Sequence, residues 1–87
     1  MSQPQTQELL NRLARIEGHI RAIRQMVEAD RPCPDVLLQI AAVRSALNKV
    51  AKILLKEYAE QNLVDAAQGG NLEVEMDRLR SALDSLL

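Results

Sequence analysis

Apolar residues recur along this chain at alternating steps of four and three, the spacing of α-helices packed side by side. Leu9, Leu13, Ile16, Ile20, Ile23 and Val27 keep it through a first segment. Val36, Ile40, Val43, Leu47, Val50 and Leu54 keep it through a second, and Leu72, Met76, Leu79, Leu83 and Leu86 through a third. Two interruptions separate the segments: DRPCPD at 30–35 and Gly69-Gly70-Asn71. The pattern predicts an all-α chain with three helices, over 5–29, 34–66 and 72–86. Asn71 suits the N-cap of the third, where Glu73 and Glu75 complement the helix dipole. Pro32, Pro34 and the glycine pair break any long continuous coiled coil. With no repeat, low-complexity tract or linker, residues 1–87 read as a single helical domain.

At some 30 residues the second segment extends about 45 Å, and Leu37, Ala41, Ala51, Leu55 and Tyr58 widen its apolar surface. One short third helix cannot cover both it and the first segment. A second copy of the chain is the economical cover. Two helical hairpins then form an antiparallel four-helix bundle, and two such dimers pair as a homotetramer. Composition points the same way, because 87 residues without Trp or Phe and with one Tyr build a small aliphatic core. A single Cys excludes an internal disulfide, and no CxxC or Cys/His cluster offers a zinc site. Such cysteine usage fits a reducing cytoplasm. No apolar run approaches the ~20 residues of a membrane span.

The net charge of −1 conceals a division: residues 12–56 carry nine Lys/Arg against four Asp/Glu, and residues 57–87 carry two against seven. On a helical wheel, Arg44, Asn48, Lys49, Lys52 and Lys56 lie opposite the second seam, while Arg12, Arg15 and His19 flank the first. Two basic strips on adjacent helices, repeated in an oligomer, make a broad face able to neutralise DNA phosphates. A solvated helix surface has the same composition, so charge alone leaves both readings open. No helix-turn-helix signature is present, and the near-absence of aromatics argues against stacking on single strands. His19, the one histidine, has nothing beside it at metal spacing and reads as a polar surface or phosphate-contact residue.

The one cysteine stands between two prolines. Pro34 suits the first turn of a helix, where its missing N–H is no loss, so Cys33 falls at or beside the N-cap of the second helix. Exposed N–H groups and the positive end of the dipole favour a thiolate there. A small residue filling a tight corner is the plainer alternative.

NRLARIEGHIRAIRQMVEADRPC followed by DVLLQIAAVRSALNKVAKILL resembles the copper-sensing repressor family, which also includes nickel/cobalt-, formaldehyde- and persulfide-responsive repressors. The likeness runs over about residues 9–87, with RIEGH, the Cys followed by DVLLQIAAVRSAL, and the short third helix in order. It implies a dimer of four-helix bundles paired into a tetramer, and repression of transcription with double-stranded operator DNA released on ligand binding. It also implies DNA contacts at Arg12 and Lys49, which the wheel extends to Arg15, Arg44 and Lys52. Metal-binding relatives pair a cysteine at the start of the second helix with a His-x-x-x-Cys or His-x-x-x-His near its end. Cys33 fits the first place, but Tyr58 and Asn62 of YAEQN occupy the others. Cu(I) or Ni(II) is the cofactor the family implies, and its ligand set is incomplete here, since neither phenol nor amide replaces thiolate or imidazole for a soft ion. Persulfide-type relatives need a second cysteine near Asn62, and nickel-type relatives an N-terminal histidine; the chain has neither.

The combined expectation is a cytoplasmic, homotetrameric DNA-binding repressor, not an enzyme, whose sensor is the Cys33 thiol with Tyr58 and Asn62 lining its pocket. A monothiol can be alkylated or oxidised without holding a metal. The alternative is a helical oligomerisation or adaptor module that has lost metal sensing and DNA regulation.

Overall fold

The first two apolar seams become α1 (Pro4–Glu28) and α2 (Cys33–Tyr58). The computed structural model describes residues 4–86, with side chains at 6–62 and 67–85. A single π-helical turn (Ala59–Leu63) continues α2 into α3 (Val64–Gly69), and α4 (Leu72–Leu86) follows the glycine pair. Among the described residues there is no strand, and the fold is all-α as the spacing predicts. The expected second helix, 34–66, is the unbroken helical stretch Cys33–Gly69 with a wide turn in it. A sign of that turn is in the seam. Followed at its own steps past Leu54, it lands on Glu57 and Gln61, and apolar residues resume late, at Leu63 and Val64. A π-turn closes over one residue more than an α-turn and so takes up such a slip.

The turn between α1 and α2 is built by backbone geometry. Asp30 adopts φ 55°, the left-handed conformation. Asp30 N–H donates to Val27 O at 3.1 Å and Arg31 N–H to Met26 O at 3.0 Å, the paired bonds of a Schellman ending. Pro32 follows at once and cannot continue α1. Its carbonyl accepts from Asp35 N–H at 3.0 Å and Val36 N–H at 3.3 Å, which makes Pro32 the N-cap and Cys33 the first residue of α2. At the head of α4, Asn71 Oδ1 accepts from Val74 N–H at 3.3 Å, the cap expected there.

The chain divides into two units, one ending at Lys52 and the other beginning at Ile53. In the first, α1 and the start of α2 run antiparallel, with His19 Nε2 2.7 Å from Gln39 Oε1. Leu9, Ile16, Val43 and Val50 form its buried core at 5, 6, 7 and 5 % exposure. These are every second position of each seam, seven residues apart. The alternate positions Ile20, Val27, Ile40 and Leu47 stay 50, 59, 39 and 44 % exposed. A lone hairpin thus covers half of each seam.

In the second unit, the Tyr58 hydroxyl donates to Glu75 of α4. Leu72, Met76 and Leu83 of the third seam remain exposed, and Leu79 is half-buried; Leu86 lies outside the described side chains. Both carboxylate oxygens of Glu57 are shut from solvent without a hydrogen-bond partner among the described residues. Glu57 stands seven residues after the buried Val50, on the register that otherwise carries the core.

Candidate nucleic-acid interface and sensor residues

Steps of three and four set Arg12, Arg15 and His19 on one flank of α1. With Ile16 beneath them and Ala46 of α2 opposite, they line a cavity of about 230 Å³. Gln39, two turns before Ala46, reaches the imidazole from α2. The sequence reading brought the three α1 residues together but missed Gln39 and Ala46. Their only signal is a place on the flank of the second seam.

Lys49 and Lys52 are exposed further along α2. Arg44 instead lines a separate hollow with Ala41, Ser45 and Asn48 of its own helix. Arg12 is partnered by Glu8 at 3.2 Å, one turn earlier. Among the described residues, Arg15, Arg44, Lys49 and Lys52 make no ion pair. The other pairs are Arg24–Glu28, Arg31–Asp35, Arg78–Glu75 and Arg80–Asp77, away from the basic strips. Exposed pairs of this kind contribute at most about 1 kcal/mol, so the Glu8 link leaves Arg12 free to exchange partners.

Cys33 is exposed at the first position of α2, in the first unit. Tyr58 and Asn62 belong to the second, on either side of the entry to the π-turn. Asn62 Nδ2 donates back to Tyr58 O at 3.0 Å, so this amide caps a carbonyl that the wide turn loosens. Glu75 accepts the Tyr58 hydroxyl with one oxygen and is approached by Arg78 at 3.5 Å on the other. The bond to Glu75 pushes the Tyr58 hydroxyl above its ordinary 10.0, helped by burial and by the Glu75 charge and opposed by Arg78.

These commitments bear on the metal that the family pattern implies. Cu(I) takes soft donors. Of the three ligand positions, one holds a thiol, one a phenol already donating to a carboxylate, and one an amide turned onto the backbone. Among the described residues, no three of His, Cys, Asp and Glu stand together to hold an ion. The donors present in this chain do not fit a Cu(I) centre.

A family model described as metal-sensitive transcriptional repressor matches residues 5–85. The copper-sensing transcriptional repressor CsoR of Bacillus subtilis (strain 168) is 42% identical over 78 residues, covering 90% of this chain and 77% of the relative. The structure of the nickel-responsive transcriptional regulator InrS superposes with a TM-score of 0.82 at 49% identity, over 100% of this chain and 98% of that one. The Cu(I)-bound copper-sensing repressor CsoR from Geobacillus thermodenitrificans NG80-2 superposes at 0.91 with 32% identity, over 98% and 88%. Each of these is a regulator of transcription, and an adaptor module without that role finds no support among them.

Proposed function

This chain belongs to the metal-sensitive transcriptional repressors and is not an enzyme, and from that premise we propose that it grips operator DNA as a homotetramer in the cytoplasm and releases it when the Cys33 thiol is modified. The observation that carries the DNA-binding reading is the set of cations without internal partners. Arg15, Lys49 and Lys52 supply charge that no ion pair among the described residues neutralises, and Arg12 adds a charge held only by the exposed Glu8. Arg44 adds charge from the hollow on its own helix. Cations left free in this way release counterions when they meet phosphates.

Assembly is supported by the half-covered seams. Ile20, Val27, Ile40 and Leu47 lie in one register along two antiparallel helices and expose a continuous apolar row. A second hairpin laid against that row completes a four-helix bundle. Exposed apolar area of this kind marks an association surface.

The inducer acts through sulfur chemistry rather than a closed metal site. Cys33 is exposed at the first turn of α2, open to electrophiles and oxidants. Tyr58 and Asn62 stand at the places where relatives in the resemblance carry ligands. No helix among the described residues is long and apolar enough to cross a membrane.

The test is a salt series of DNA binding on a duplex selected by the protein from a random pool, with sedimentation run in parallel. The expected result is a tetramer whose log affinity falls steeply with log salt. A folded monomer that ignores DNA at low salt would overturn the reading.

A further inference from the structure

His19 is the one histidine of the chain and sits a turn beyond Arg15. Its Nε2 is 2.7 Å from Gln39 Oε1. Its Nδ1 is left without a partner among the described residues. The cavity beside it, about 230 Å³, has the volume of roughly eight waters and admits a phosphate group. Two guanidinium groups line it, and Ala46 on the facing helix adds neither charge nor bulk.

Gly18 supplies a second, independent observation. It lies mid-helix, where glycine costs about 0.5–1 kcal/mol relative to alanine. A Cβ built on it would meet only the tip of Arg21, at an ordinary 3.7 Å. Among the described residues nothing therefore crowds this position. Glycine there leaves room for a backbone that approaches from outside.

We propose that the hollow between Arg12, Arg15 and His19 seats one phosphate of the DNA backbone, with His19 a phosphate-binding residue, Gln39 the residue that positions its ring, and Gly18 the clearance for the strand. The proposal rests on the DNA-binding reading above and deepens it. Gln39 holds one ring nitrogen, and the other is left to meet a phosphate oxygen. The charged groups around the ring are Arg12 and Arg15 on its own helix, with Glu8 paired to Arg12. From α2 it is faced by Gln39 and Ala46, both neutral.

The experiment measures affinity for the selected duplex and its competition by sulfate. His19→Gln and His19→Asn should each bind roughly tenfold more weakly, the equivalent of about 1.4 kcal/mol. Gln39→Leu should weaken binding when His19 is present and change nothing further in His19→Asn. Gly18→Ala should weaken DNA but not sulfate binding. Duplexes carrying single neutral methylphosphonate linkages add a further arm. One linkage that weakens wild type should no longer matter to the His19 variants.

If the His19 variants keep their affinity while Lys49→Ala and Arg12→Ala weaken binding, the DNA face stands and this seat fails. If none of these changes matters, the DNA-binding reading fails with it. Wild-type DNA affinity in Gly18→Ala, with sulfate still competing, assigns the hollow to a free anion and overturns the DNA assignment.

Discussion

The Tyr58 hydroxyl donates to Glu75, pinning the last turn of α2 to the first turn of α4. Its position is where the family resemblance puts a metal-binding histidine, so a permanent hydrogen bond holds α4 there without an ion. Such a tie needs no metal, in keeping with the sensor proposed at the exposed thiol.

The fold raises the Tyr58 hydroxyl above 10.0, chiefly through the bond to Glu75. A group whose folded value lies above its unfolded one contributes below the unfolded value and loses that contribution as pH climbs through the folded one. Stability should therefore carry a component that is constant below pH 10 and disappears in stronger alkali. Ultraviolet titration of this one tyrosine should give a midpoint above that of a free phenol. In Tyr58→Phe the alkaline loss should be absent and the melting temperature at neutral pH lower. An ordinary midpoint, or an unchanged alkaline profile in Tyr58→Phe, would count against the pairing.

Glu57 keeps both carboxylate oxygens out of water with no donor to accept from among the described residues. An unsatisfied buried group costs about 1–3 kcal/mol, and more if it is charged. Glu57→Met should raise stability by about that amount in urea denaturation at fixed protein concentration. Destabilisation instead would show that the assembled protein supplies the carboxylate with a partner.

Asp30 holds a left-handed backbone at φ 55°, which glycine adopts without a steric penalty. Asp30→Gly should stabilise the protein by up to about 1 kcal/mol, and Asp30→Val should destabilise it. Equal stabilities for the two variants would contradict the closing turn described for α1.

Lys49→Ala and Arg12→Ala should each weaken DNA binding and leave sedimentation unchanged, because neither side chain belongs to the core. Each should also flatten the plot of log affinity against log salt, by about one unit for every phosphate left without its cation in each engaged subunit. Unaltered slopes in both variants would remove these residues from the face.

Cys33→Ala should bind DNA as wild type does and stop responding to a small electrophile. In the unmodified protein the exposed thiol should take up that electrophile, and the label should be absent from the variant. An adduct there presses on the start of the helix that carries Arg44, Lys49 and Lys52, giving a route to the DNA face. Alkylated protein that binds DNA with undiminished affinity would make Cys33 a corner residue only.

The three helical stretches, their breaks and the Asn71 cap were legible in the chain alone, because they depend on local chemistry. Step lengths set the angle of each apolar residue around its helix axis. Proline, glycine and a short polar side chain act within a turn of where they stand. The same periodicity brought Arg12, Arg15 and His19 to one flank and separated the basic strips from the seams. It could not say which half of a seam is covered. Leu9 and Ile20 belong to one pattern, yet one is buried and the other half-exposed, since burial is decided by what the neighbouring helix offers at that level. Nor could it pair His19 with Gln39 or Tyr58 with Glu75. These partners are 20 and 17 residues apart, and only the closing of α1 on α2, and of α4 against the π-turn, brings their polar atoms within reach.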